Sequence, residues 1–193
     1  MVCAASLELA SLQEPNRLAL VPEGVPSWGK NSDRWERAYA HFGLEVPSER
    51  VRLTRRRRIE YLPYFNAGFV MFPNAPQSGG SFGAQWLETA LHFDQHCSIG
   101  QKRPWLDQIT LPLTIKRFGY DYLVADTALN FSISDRAFEP DAKPVLMHYH
   151  RWRNLHAWHQ TEQALLALDQ IAGPNLAARM RRHYAEFYEM EAA

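Results

Sequence analysis

Cysteine is nearly missing from this chain, with Cys3 and Cys97 its only two. That is too few for a disulfide framework or a cysteine-rich zinc site, and it makes a reduced, cytoplasmic setting the expectation. An excess of one charge is missing as well: 21 Lys and Arg balance 21 Asp and Glu. That balance argues against a polyanion-binding protein and against wholesale disorder, and no aromatic and basic interleaving of the nucleic-acid-binding kind is present. No apolar run has the length of a membrane span. Met1 to Leu12 is apolar but short, lacks a basic leader and carries Glu8, so it does not read as a signal peptide or a span. Internal repeats and low-complexity tracts are absent too. What is present, 193 residues of which 46% are hydrophobic and 12% aromatic, suits one soluble domain with a real core.

Periodicity then places the elements. Asn31 to Phe42 reads as a helix, with Asp33 and Glu36 spaced like a capping box, Trp35, Ala38, Tyr39 and Phe42 on one face, and Gly43 as its stop. Val51 to Thr54 is a short strand candidate, and Tyr64 to Phe72 is the strongest strand. After a loop from Pro73 to Gly80, Ser81 caps a helix running to about His96. Pro104 opens a further helix toward Gly119, with Pro112 expected to kink it. Tyr122 to Ala125 and Val145 to Tyr149 are strand candidates. From Arg153 the stripe Leu155, Trp158, Leu165, Leu168 and Ile171, the break Gly173-Pro174, and the stripe Leu176, Met180, Tyr184 and Phe187 predict a helical hairpin.

Five polar groupings stand out, each with a bland alternative. Asn66, before Ala67-Gly68 at the start of the strongest strand, offers an amide that can donate to and accept from sugar hydroxyls, or simply makes a turn. Asp107 and Gln108 lie in a first helical turn, where they can grip a hydroxyl-rich ligand or serve the helix dipole. His148 and His150 alternate on a strand and so face the same way, as metal ligands or as structural histidines. Arg55 to Arg58 is the one dense charge run, a solvated loop or a phosphate contact. Arg151 and Arg153 can neutralise a phosphate or solvate a helix start.

Taken in order, these segments resemble glycosyltransferases of the GT-A type, especially the glycogenin and galactinol-synthase-like group. Tyr64-Phe65-Asn66-Ala67-Gly68 is similar to that family's strand, Trp105-Leu106-Asp107-Gln108 to its helix signature, Leu129-Asn130-Phe131 to its Asn-Phe segment, and Val145 to Tyr149 to its strand ending in His-Tyr. The resemblance spans roughly Val2 to Arg151. It implies an α/β fold with a mixed sheet and flanking helices, residues 1–152 forming a partial GT-A-like domain and 153–193 the helical hairpin. It implies that Asn66, Ala67 and Gly68 line the donor-sugar and acceptor region, that Asp107 and Gln108 contact the transferred sugar and the acceptor, and that His148 joins two aspartates in holding a divalent metal, usually Mn2+, on the diphosphate of a nucleotide-sugar donor.

Two departures qualify it. The Gly-x-x-Lys-Pro-Trp segment expected after the histidine is replaced by Tyr149-His150-Arg151-Trp152-Arg153, so Arg151 or Arg153 would stand in for the lysine. The D-x-D motif that should precede Val2 to Leu7 is absent. The expectation is therefore the C-terminal portion of such an enzyme, truncated of its donor-binding half, because the retained segments look intact and a half sheet would expose an apolar edge. A short homologue, its edge covered by a partner chain or a second copy, is the other explanation. The competing functions are a non-catalytic oligomerisation or docking module and, more remotely, a metal hydrolase built on His148 and His150.

Overall fold

The computed structural model describes residues 1–7, 9–12, 17–55, 58–73, 80–134, 136–159, 166, 169–171, 173–183 and 185. In chain order the strands are β1 (Val2–Cys3), β2 (Arg17–Pro22), β3 (Val51–Arg52), β4 (Glu60–Tyr61), β5 (Phe65–Met71), β6 (Asp121–Val124), β7 (Phe131–Ser132) and β8 (Leu146–His148). The helices are α1 (Arg34–His41), α2 (Phe82–His96), α3 (Leu106–Phe118), α4 (Trp152–His156) and α5 (Pro174–His183). The chain divides into two compact units, Glu8–Leu129 and the combination of Met1–Leu7 with Asn130–Ala193.

The larger unit is built on β2, a strand that periodicity misses. Leu18-Ala19-Leu20-Val21 is a continuous apolar run, buried throughout, so it lacks the alternation that marks a half-exposed strand. β2 pairs antiparallel with β5 and parallel with β6, which makes the sheet mixed. The antiparallel register sets Pro22 opposite Phe65, so the C-terminal end of β2 and the beginning of β5 share one sheet edge. α3 packs against both β5 and α2.

Local chemistry explains most of the helix ends. Ser81 has extended backbone and its hydroxyl accepts from the Ala84 N–H at 3.3 Å, a working N-cap for α2. The capping box expected at α1 does not form, because Asp33 sits at φ −82°, ψ 11° instead of the extended region and makes no side-chain cap bond. Helix α1 also begins later than the sequence predicts, as Asn31 is left-handed at φ 56°. α3 runs unbroken across Pro112 and ends at Gly119, whose φ of 67° is the left-handed conformation that glycine takes without strain.

Two groups of buried side chains hold this unit. Trp28, Trp35, Tyr39, Tyr64, Phe93 and Ile109 form one, and Leu18, Leu20, Phe65, Phe82, Leu111 and Ile115 the other; each large side chain contributes about 1.5–3 kcal/mol of burial. Trp28 and Trp35 meet edge to face with centroids 4.9 Å apart. Gly29 lets them: a Cβ there would stand 2.5 Å from the Trp35 ring.

The smaller unit has a three-stranded sheet in the order β1-β8-β7, with Val2 opposite Met147 and Met147 opposite Phe131. Ile133, Met147, Leu155 and Trp158 are its core, and the Trp158 indole donates to the Arg136 carbonyl at 3.2 Å. Of the expected helical hairpin, residues 169–171 are helical, Gly173 breaks the chain at φ 78°, and α5 follows. Leu165, Leu168, Tyr184 and Phe187 of its stripes lie outside the described residues, as do Arg56 and Arg57 of the basic run, Asn74 to Gly79 of the predicted loop, and Asp135. Among the described residues no helix is long and apolar enough to cross a membrane.

Candidate functional site

A group of hydrogen-bonded polar side chains gathers where β2 ends and β5 begins. Glu23 follows β2 directly and is partly exposed. Its backbone N–H donates to the Tyr64 carbonyl at 2.9 Å, continuing the β2–β5 pairing, while its Oε1 accepts from the Gly24 N–H at 2.6 Å. The other carboxylate oxygen accepts from Asn66 Nδ2 at 2.7 Å. Asn66 Oδ1 in turn accepts from the Gly68 N–H at 2.9 Å. Asn66 is thus buried at 8% exposure, its amide spanning Glu23 and the backbone of Gly68. Glu23 is the more open of the pair, and a carboxylate with lone pairs beyond those two bonds can still accept from a ligand hydroxyl.

Tyr64 ties this edge to α3. Its phenol donates to Gln108 Oε1 at 2.9 Å, fastening the segment before β5 onto the first turn of the helix. Burial, then the nearby charge of Glu23, push the Tyr64 hydroxyl well above the usual phenol range, with Ser27 opposing and Asp107 adding to the effect. Tyr64 therefore stays protonated and donating at any ordinary pH. The phenol thus sits between Glu23, whose N–H bonds the Tyr64 carbonyl, and Gln108, the neighbour of Asp107. Trp35 and Tyr61 wall it in, their ring centroids 5.5 and 6.3 Å from that of Tyr64, so Gln108 is held by a rigid support.

Asp107 is exposed, and its Oδ1 accepts from the Gln108 N–H at 2.8 Å, satisfying one of the unpaired N–H groups at the start of α3. The Gln108 amide keeps its NH2 for a ligand while its oxygen is committed to Tyr64. Ala67 is partly exposed and Gly68 exposed. The structure so brings Asn66, Gly68, Asp107 and Gln108 to one region of the larger unit, and adds Glu23, Ser27 and Tyr64. The signal for Glu23 was available in the sequence, as an acidic residue terminating a buried apolar run, but only once that run is read as a strand.

In the smaller unit the two histidines stand together, ring centroids 4.9 Å apart, although β8 ends at His148 and His150 lies beyond it. His148 Nδ1 meets Asn130 Oδ1 at 3.0 Å. An amide oxygen only accepts, so His148 is protonated on Nδ1 and turns its basic nitrogen, Nε2, the other way. Burial, then His150 and the N-terminal ammonium, hold its pKa below the ordinary imidazole value. His150 Nδ1 lies 2.8 Å from Ser134 Oγ, which also accepts from the His150 N–H at 3.0 Å. Arg151 and Arg153 are both exposed, at the start of α4. The fit to Mn2+ is incomplete. Two imidazoles are a poor set for a cation that favours several oxygen ligands, and among the described residues no group of three or more His, Cys, Asp or Glu side chains gathers to hold a metal.

No curated protein and no solved structure matches the chain. A family model, the Rhodobacterales glycosyltransferase domain, matches residues 1–119, which include Glu23, Asn66, Asp107 and Gln108. That is more than half of the 193 residues, and the chain belongs to the Rhodobacterales glycosyltransferase domain family.

Proposed function

We propose that this protein moves a sugar from a nucleotide-diphospho-sugar to an acceptor hydroxyl, on a scaffold of the GT-A type. The observation that supports the reading is the convergence of Glu23, Asn66, Asp107 and Gln108 about the buried Tyr64, at the carboxyl end of the central strand, where open α/β sheets present their ligands. In the transfer, a bond forms between the acceptor oxygen and the anomeric carbon while the bond from that carbon to the diphosphate oxygen breaks. The diphosphate leaves with the electron pair. The acceptor proton passes to a carboxylate, and Asp107, exposed and beside Gln108, takes that role. Gln108 donates its NH2 to a sugar hydroxyl, and Glu23, steadied by Asn66, accepts from another. In the smaller unit, His148 would be one ligand for a divalent cation such as Mn2+, and Arg151 and Arg153 are exposed cations suited to a phosphate.

The test is a donor screen. Each common nucleotide-diphospho-sugar is incubated with the protein, with and without Mn2+, and release of nucleotide diphosphate is followed. Turnover with at least one donor is expected, falling about 100-fold or more in Asp107→Asn while the melting temperature holds, as for a lost general base. Absence of both binding and turnover with every donor sinks the reading.

A second reading, a non-catalytic docking module, is favoured by Leu176 and Met180, 41% and 36% exposed one turn apart on α5. Light scattering separates the two: a stable oligomer without donor affinity supports docking.

A further inference from the structure

An open pocket of about 570 Å³ lies between α2 and the start of α3, and Asp107 is part of its lining. We propose that this pocket binds a saccharide acceptor, a mono- or disaccharide whose reacting hydroxyl lies at Asp107. The inference rests on the transferase reading and names its second substrate.

The lining has the chemistry of a sugar site. Trp86, Leu87 and Leu106 give it carbon surface, and Arg103 and Asp107 give it charge. The Trp86 indole N–H donates to Thr110 Oγ1 at 3.1 Å, and that hydroxyl donates to the Leu106 carbonyl at 2.7 Å. The indole's only donor is thereby committed, the ring is fixed to α3, and carbon is what it offers the pocket. A pyranose has one face of C–H groups to lay on such a surface and a rim of hydroxyls. Asp107 accepts from hydroxyls, and Arg103, one of whose N–H groups reaches Asp94 at 3.2 Å, has further donors for them. A nucleotide or another phosphate fits badly, because the single guanidinium is offset by Asp107 and Asp94. The volume falls in the range of small-molecule sites.

At Gly83 a larger side chain would enter the open space of the pocket. This glycine lies on the pocket wall inside α2, and a Cβ built there meets nothing within 4 Å. Its backbone is not in the left-handed region, so neither conformation nor packing calls for glycine.

The experiment uses the full chain and saturation-transfer NMR with methyl glycosides and disaccharides of glucose, galactose, mannose and N-acetylglucosamine. Saturable binding of at least one is expected, weakened tenfold or more by Gly83→Phe and severalfold by Leu87→Gln, which alters an exposed side chain and spares the core. Gly83→Ala is expected to stay within threefold. Circular dichroism and melting temperature verify that each variant folds. No saccharide binding by the wild type, or equal binding by Gly83→Phe, overturns the proposal; so does a change of oligomeric mass in Gly83→Phe with saccharide binding intact, which assigns the pocket to a protein partner. Donor turnover is measured separately on the wild type: donor turnover without saccharide binding fails this inference alone, and saccharide binding without donor turnover fails the transferase reading.

Discussion

Glu23 and Asn66 are the side chains on which the candidate site turns. They lie 43 residues apart in the chain and share a 2.7 Å hydrogen bond. A hydrogen bond to a charged group is worth about 1.5–3 kcal/mol, and this one also fixes which way the amide points, because Asn66 Oδ1 is occupied by the Gly68 N–H. Asn66→Asp tests the pairing in a way that simple truncation does not. It sets a second carboxylate against Glu23, and two carboxylates at that distance cannot both ionise cheaply, so one of them acquires a folded-state pKa above its unfolded value of about 4. A raised folded pKa gives stability that is complete at acid pH and is lost as pH rises through it. The variant should therefore be weaker than wild type by about 3 kcal/mol at pH 8 and regain about half of the difference at pH 5, as read from urea midpoints. An equal deficit at both pH values would show that the two groups do not meet. The sequence leaves Asn66 as a ligand-contacting amide or a turn residue, and its Oδ1 makes the short-range bond to the Gly68 N–H that a turn residue makes. Its other partner, Glu23, is hidden from the sequence because it follows a strand whose apolar run has no alternation to announce it.

Among the elements, the joint between α1 and α2 has a built-in response to acid. His41, at the end of α1, has Nε2 3.3 Å from His92 Nδ1 on α2, and the His92 and His96 rings are 4.8 Å apart. Lys102 and Arg117 face the same group from the connection before α3 and from α3 itself. Arg117 lies over the Phe42 ring at 4.6 Å and pairs with Glu88 at 3.1 Å. Partial burial, then these neighbours, lower the His41 pKa below the ordinary imidazole value. The unfolded chain then takes up the proton near pH 6.5 and the folded protein only at lower pH. Stability from this joint is full above that range and declines as pH falls through it. Melting temperature is expected to drop between pH 7.5 and 5.5, with a shallower drop in His41→Gln; parallel pH profiles for the two proteins would refute the idea. The helices on either side of this joint were readable in outline from 3.6-residue periodicity, because each buries one face. Their first residues were less so: Asp33 has the right chemistry for a cap, and the backbone before Arg34 denies it the angle.

At the scale of the whole molecule, the two units differ in what a sequence can tell about them. The larger is continuous in the chain, so its Ser81 cap, its Gly119 stop and the β5 strand are local signals that fall inside one fold. The smaller joins Met1–Leu7 to residues after Asn130, and no local pattern announces that Val2 lies opposite Met147. His148 depends on that pairing, since β8 is the middle strand between β1 and β7. One backbone bond tests it. The Ala4 N–H donates to the Val145 carbonyl at 2.8 Å, at the end of the β1–β8 ladder, and proline at position 4 removes that donor. Ala4→Pro should weaken the β1–β8 pairing by about 1–2 kcal/mol, roughly a tenfold rise in exchange for an amide that opens with the sheet. The amides of Met147 and His148 are the reporters, and those of Leu18 to Val21 in β2 are the control, because each unit has a core of its own. Unchanged exchange at Met147 and His148 would mean that β1 does not hold β8. An equal rise at β2 would mean that the two units open together, and that His148 shares its stability with the site around Tyr64.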